Sequence, residues 1–406
     1  MLNESKKRVP WSLTVLITFF VSIAPVFKNY GVWIISLSEI FLVCMCALLI
    51  LFKAKHDFYK IRLLFLFFFI VTLLSLIAAL KYPFSHTVIV RFWIYIFFIF
   101  SFCDYFDFEL GCKILVYAIL INSLYLIFQN AVYSYSGKVL QWNIPGLPVK
   151  IAEGYLNGEA NEAYGIRFSG LFSEPAQFSH YALTGVIVLL LKKDIFRPFF
   201  RVTLLAVIVY AILLSGSGAG AVQLLIIFAL FFLKSFKESR NNVAKIFAIV
   251  FLIFVSTSLL IPFISYFGLD SGWLRAIDNS SIASANSRIY NCFKVFEHLP
   301  NLGKIFGIGY GNYQHFVDTK LFGLYSRYCN SAAFVLCGSG YLGFALYLSV
   351  FHDWFRHTKG VARFKLITLF ISAFYSGQAL SIDFVLSACF ILSCYEYRKE
   401  EKGWIV

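Results

Sequence analysis

Unbroken apolar runs separated by short basic or polar connectors recur along this chain from Trp11 to Tyr395. A helix needs about 20 apolar residues to cross roughly 30 Å of hydrocarbon. Runs suited to that task lie near 11–27, 32–52, 61–80, 87–103, 112–133, 176–192, 199–215, 219–233, 243–267, 331–351, 365–380 and 382–395. The pattern predicts an all-α polytopic membrane protein with about twelve spanning helices. Two long polar stretches interrupt it. The predicted order is helices one to five over 1–133, a long loop over 134–175 and helices six to nine over 176–267. A second long loop follows over 268–330, then helices ten to twelve and a tail over 331–406.

Composition agrees: 60% of the residues are apolar and 14% charged, against about 45–50% and about 25% in a soluble domain. The formal net charge of +14 would suit a nucleic-acid partner. The charges lie in short clusters between apolar runs, however, with no basic stripe interleaved with surface aromatics, so nucleic acid is set aside. With both termini in the cytoplasm, about two thirds of the 35 Lys and Arg fall in cytoplasmic segments, as the positive-inside rule requires. The first run follows Lys6, Lys7 and Arg8 like a signal peptide, but it lacks a small-x-small cleavage site and is read as helix one. Both long loops then face outward, and long ordered loops on a rigid scaffold usually carry function. ATP and nucleotide-sugars, confined to the cytoplasm, are poor substrate candidates.

The first long loop ends in Arg167-Phe-Ser-Gly-Leu-Phe-Ser-Glu174-Pro175-Ala-Gln-Phe-Ser-His180-Tyr181. Ser173 is a suitable N-cap, and Pro175 fits a first helical turn. Glu174, Gln177, Tyr181 and Thr184 share one helical face with His180 beside them. Such a stripe in lipid faces either a partner helix or a wet cleft. In the second loop, Ile289, Phe293 and Phe296 form one arc of a helix, opposite Arg288, Asn291, Lys294 and His298. That pattern suits a helix lying on the membrane surface, ended by Pro300. Gly307-Ile-Gly309-Tyr-Gly311 is a tight turn whose backbone N–H groups could meet an anion; on its own, a plain turn is the simpler reading. Ser215-Gly-Ser-Gly-Ala-Gly220 is a second turn, read as a connector ahead of a phosphate cradle. Gly338-Ser-Gly340-Tyr-Leu-Gly343 follows no strand and supplies small residues for close helix packing.

Glu39 and Arg91 fall within apolar runs, where a charge needs a partner or water. A Glu39–Arg91 contact is one solution. On the predicted topology Arg91, Arg167, Arg275, Arg288 and Arg327 all lie on the outer side. Guanidinium groups match phosphate oxygens through bidentate hydrogen bonds, so the implied ligand is an anion at the outer leaflet, such as a lipid diphosphate. For each arginine alone, a solvated face is the simpler reading. The nine cysteines show no zinc spacing. Cys292 and Cys329 share the second outer loop, and a disulfide between them is an open alternative.

Four stretches, in this order, carry a family resemblance: Arg167-x-x-Gly170-x-Phe172-x-Glu174-Pro175, Asn286-Ser-Arg288, Phe306-Gly307-Ile-Gly309-Tyr-Gly311, and Asn330 ahead of Gly340-Tyr-Leu-Gly343. The chain resembles the bacterial O-antigen polymerases (the Wzy class) of the O-antigen polymerase/ligase superfamily. The resemblance implies a GT-C-like glycosyltransferase of the inner membrane. It would transfer a growing glycan from undecaprenyl diphosphate to another lipid-linked repeat unit on the periplasmic face. Arg167 and Arg288 would hold the donor diphosphate, and no metal or other cofactor is expected. The implied partners are lipid-linked oligosaccharide as donor and acceptor, membrane lipid, and optionally a chain-length regulator. Cys329 stands where related enzymes carry a His, and Gly218 where an Arg often follows Ser-Gly-Ser. The general base is then Glu174, His315 or His298, with Glu174 favoured because its motif matches. Gln177, Tyr181, Asn330, Gly307 and Gly309 complete the expected substrate contacts, with Arg91, Arg275 and Arg327. A ligase acting on lipid A core and a twelve-helix flippase or transporter are the competing readings. Transporters are commonly built from two similar halves, and no such similarity is visible in this sequence.

Overall fold

The computed structural model describes residues 9–33, 35–150, 167–238, 291–325, 329–377 and 381–396. The described chain is mostly helical. α1 (Trp11–Ile23) runs into a 3-10 turn and a two-stranded hairpin, β1 (Gly31–Val32) and β2 (Ile35–Ser36). Then come α2 (Leu37–Leu51), α3 (Arg62–Ala78), α4 (His86–Phe102), α5 (Phe108–Ser136), α6 (Pro175–Leu191), α7 (Pro198–Leu214) and α8 (Gly218–Glu238). The later elements are α9 (Asn291–Glu297), α10 (Asn301–Phe306), α11 (Tyr313–Lys320), α12 (Ser331–His357), α13 (Gly360–Ser372) and α14 (Ile382–Leu392). Each predicted apolar run within the described residues carries a helix; the run near 243–267 lies outside them.

Among the described residues, three helices are long and apolar enough to cross a membrane. They are Tyr59–Ala78, Phe108–Ser136 and Ser331–His357, with 20, 29 and 27 residues. At 1.5 Å per residue these reach roughly 30, 43 and 40 Å. The remaining apolar helices are shorter.

The chain divides into two compact units. One combines Met1–Ile114 with Ala283–Val406, and the other is Leu115–Ile282. The first unit therefore joins the two ends of the sequence, which a reading along the chain does not reveal. In it α3 packs along α12, α14 lies against α4, and α9, α10 and α11 all rest on α12. In the second unit α6 is sandwiched by α7 and α8, and its side chains are buried from Phe178 to Leu189.

The second predicted run does not start as a helix. Residues 31–36 form the hairpin, and α2 begins at Leu37 because Ser36 and Glu39 make a reciprocal capping box. Each side chain satisfies a backbone N–H that a helix start leaves open. Glu39 thus sits in the first turn of α2. In the second long loop, α9 turns its apolar face into the protein. Cys292, Val295 and Phe296 are buried in a core with Leu299, Ile308, Phe316 and Val317, and packing onto α12 uses the apolar face first.

α12 is broken at Gly340, whose φ of 64° and ψ of −168° are not helical. That region is essentially restricted to glycine. The break leaves carbonyls of the preceding turn without their usual helical donors. They are met from outside the helix: Ile308 N–H donates to Cys337 O and Gly309 N–H to Gly338 O, both at 3.0 Å. Tyr310 N–H donates to Ser75 Oγ on α3 at 2.9 Å. The approach is tight enough that a Cβ on Gly340 would sit 2.3 Å from Ile305 O, and one on Gly307 2.2 Å from Gly338 O.

Candidate functional site

The stretch Arg167 to Pro175 forms a tight turn that feeds α6, and two polar side chains of α5 build it. Gly170 has a φ of +64°, and a Cβ there would lie 2.9 Å from Asn122 O. Gly170 N–H donates to Gln129 Oε1 at 3.0 Å, and Gln129 Nε2 donates back to Gly170 O at 3.3 Å. Leu171 N–H donates to Asn122 Oδ1 at 3.4 Å. Phe172 is fully buried against Phe178 and Tyr181. The glycine and the phenylalanine are thus the anchors of the turn. They hold Arg167, which is half-buried, on one side and Glu174, which is exposed, on the other.

Glu174 itself is the N-cap of α6, one residue later than the predicted Ser173, with no side-chain cap bond. Pro175 occupies the first helical position, where its missing N–H costs nothing. Ser173 Oγ instead donates to Gln177 Oε1 at 3.2 Å. Glu174 and Gln177 therefore sit at the head of the helix, while Tyr181 is buried lower down against Phe172. Below them the polar stripe is a helix interface. His180 Nδ1 pairs with the Gln223 amide of α8, and Ser179 meets Ser215 at 3.2 Å. The Ser215–Gly220 turn packs inward, with Ser217 Oγ accepting from Gly220 N–H at 3.1 Å; this is the connector reading.

Within the first unit, a second polar cluster gathers at the hairpin end of α2. Glu39 Oε2 accepts from Ser36 N–H at 2.7 Å and from Ser36 Oγ at 2.8 Å. Glu39 Oε1 accepts from Tyr95 OH at 3.1 Å and faces Arg91 Nε at 3.3 Å. The Arg91 side chain is 41% exposed, so the ion pair contributes about 0–1 kcal/mol. In the same unit Lys28 Nζ binds Asp383 Oδ2 at 2.6 Å, and Ser381 caps α14 through Asp383 N–H.

The head of α12 is built around Asn330. Its Oδ1 accepts from Ala333 N–H at 2.8 Å as the helix cap, while Nδ2 donates to Phe374 O at 2.7 Å and to Cys292 Sγ at 3.0 Å. Asn330 is buried and its amide is used within the protein. Beside it, burial pushes the Tyr313 hydroxyl well above the usual phenol range. The Cys292 thiol is lowered by a hydrogen bond from Cys329 and by Asn330. Burial raises Cys329 well above the usual thiol range. His315 is exposed on α11, and His298 Nε2 pairs with Tyr325 OH at 2.9 Å.

In the expected anion turn at Gly307–Gly311, the N–H groups of Ile308 and Gly309 donate to the carbonyls at the break in α12, that of Gly307 to Gly303 O and that of Tyr310 to Ser75 Oγ. Arg275, Arg288 and Arg327 lie outside the described residues. Arg91 belongs to the first unit and Arg167 to the second. Asn122 and Gln129 were not singled out from the sequence, although seven residues apart they share a helix face, and polar pairs in an apolar helix carry that signal. Tyr95, Lys28 and Asp383 were likewise not singled out.

No protein-family model matches the chain, and no curated protein matches it.

Proposed function

We propose that the protein is an O-antigen polymerase. In this reading it is a GT-C-like, metal-independent glycosyltransferase with about twelve spans, cytoplasmic termini and an extracytoplasmic catalytic face. Donor and acceptor are undecaprenyl-diphosphate-linked oligosaccharides. The observation that carries the reading is the clamped turn ahead of α6. A glycine held by Asn122 and Gln129 fixes a cation, Arg167, and a carboxylate, Glu174, at opposite ends of one rigid loop. Glycosyl transfer from a lipid diphosphate needs that pair of functions. A carboxylate takes the proton from the acceptor hydroxyl as its oxygen bonds to the anomeric carbon. As the bond from that carbon to the diphosphate oxygen breaks, guanidinium groups stabilise the leaving charge.

Glu174 suits the base because its side chain is exposed and makes no cap bond. Arg167 suits the diphosphate, the role that the family resemblance also gives to Arg288. Arg91 offers a further guanidinium, part-exposed beside Glu39. His315 is an alternative acid or base, and Gln177 is a polar group close to Glu174 in sequence. The test is a gel of surface lipopolysaccharide from a strain lacking the gene. Collapse of long ladders to a core bearing one repeat unit, restored by the wild-type gene but not by Arg167→Ala or Glu174→Gln, supports the proposal. A core without any repeat unit refutes it and points to a ligase or flippase.

A further inference from the structure

The proposed reaction leaves two cysteines unused where α9 meets the head of α12. Cys292 is fully buried on α9, and Cys329 is half-buried in the residue before the Asn330 cap. Both carry reduced side chains, hydrogen-bonded to each other. Asn330 fixes the geometry: its Nδ2 donates to Cys292 Sγ at 3.0 Å while its Oδ1 is held by Ala333 N–H. One sulfur is thus tied to the backbone that carries the other. Cys337, two turns further along α12, is buried in the same core.

We propose that Cys292 and Cys329 close into a disulfide that fastens α9 to the head of α12. The inference goes beyond the polymerase reading. It shares with that reading only the placement of this end of the first unit in the extracytoplasmic, oxidising compartment. The oxidant is an external protein disulfide of the thiol oxidoreductase class. Cys329, the more exposed of the two, attacks it through the small thiolate fraction that its burial leaves, forming a mixed disulfide, and its proton goes to the oxidant thiol that is released. Cys292, whose thiolate is favoured by the Asn330 and Cys329 hydrogen bonds, then attacks Cys329 Sγ. The intramolecular S–S bond forms and the second oxidant thiol leaves, carrying the remaining proton. Two cysteine thiols lose two electrons, and the oxidant disulfide becomes a dithiol.

Full-length protein is made in cells with a disulfide-forming periplasm, alkylated at harvest, denatured and digested for mass spectrometry. The expected result is a Cys292–Cys329 cross-linked peptide pair that is lost on reduction and retained in Cys337→Ser. Both thiols fully alkylated, while a secreted disulfide standard from the same cells is oxidised, overturns the proposal. A membrane-impermeant maleimide applied to Thr319→Cys in spheroplasts reads the side directly. Labelling from outside is expected, and protection until lysis overturns the compartment on which the proposal rests. O-antigen ladders are run on the same cells. Free thiols with intact ladders refute the disulfide alone, and a cross-link without ladders in the presence of single-repeat core refutes the polymerase alone.

Discussion

Gly340→Ala tests whether the break in α12 is specified by a glycine or merely tolerated. The added Cβ would lie 2.3 Å from Ile305 O and 2.6 Å from Phe306 N, backbone atoms that cannot swing aside. The φ of 64° with a ψ of −168° adds backbone strain of about 1–3 kcal/mol for any residue with a side chain. If the chain relaxes by withdrawing the 305–309 segment, the hydrogen bonds from Ile308 and Gly309 to α12 are lost. Each contributes about 1 kcal/mol net, and more where a buried carbonyl is left unmet. The combined cost is about 4 kcal/mol, roughly 8 °C in melting temperature at about 2 °C per kcal/mol for a large chain. Gly360→Ala is the matched control: its φ is +55° and nothing lies within 4 Å of the new Cβ, so only left-handed strain of about 1 kcal/mol remains. Fractions surviving a heat step, read by size-exclusion chromatography in detergent, compare the two. Equal midpoints for Gly340→Ala and Gly360→Ala would sink the reasoning.

Asn122→Ala with Gln129→Ala is expected to cost about 2–4 kcal/mol by leaving Gly170 and Leu171 unmet, and to abolish polymerisation; unchanged ladders would show that the clamp does not position the turn. Tyr310 OH and Tyr347 OH are buried without hydrogen-bond partners among the described residues, so Tyr347→Phe should be neutral or stabilising by up to about 1 kcal/mol, and a large loss in melting temperature contradicts this. The Asp104 side chain is almost fully buried beneath Lys60, 2.6 Å away; Lys60→Met removes its cation and leaves it the Asp57 N–H donor at 2.7 Å, and should cost about 3 kcal/mol, against under 1 kcal/mol for an exposed pair such as Lys359–Glu396. Arg91→Ala should leave thermal stability nearly unchanged, because Glu39 keeps its Ser36 and Tyr95 donors, while weakening polymerisation if its exposed edge meets the donor.

Helix positions were legible because lipid-length apolar runs leave little choice of secondary structure. The start of α2 was also written in the chain, since Ser36-x-x-Glu39 is a capping-box spacing, but apolar Val32 and Ile35 hid the hairpin behind it. The role of Gly307–Gly311 was not legible. A glycine turn with open donors and one with its donors committed have the same letters, and only the carbonyls at Cys337 and Gly338 distinguish them. The stretch Arg167–Pro175 stands out in the sequence as a motif ahead of a helix, yet its anchors Asn122 and Gln129 lie far upstream, and nothing local links them to Gly170. The joining of the two chain ends in one unit was equally hidden, because apolar helices in lipid pair by shape and small residues rather than by pattern.

The stitched break in α12 also bears on biogenesis. Residues 301–311 are synthesised before α12, yet their backbone donors are needed by carbonyls that emerge later. A helix inserted alone would expose those carbonyls to hydrocarbon, at several kcal/mol each. α12 is therefore expected to reach its final depth only when the preceding segment docks, and an undocked α12 is a state that a quality-control protease could survey.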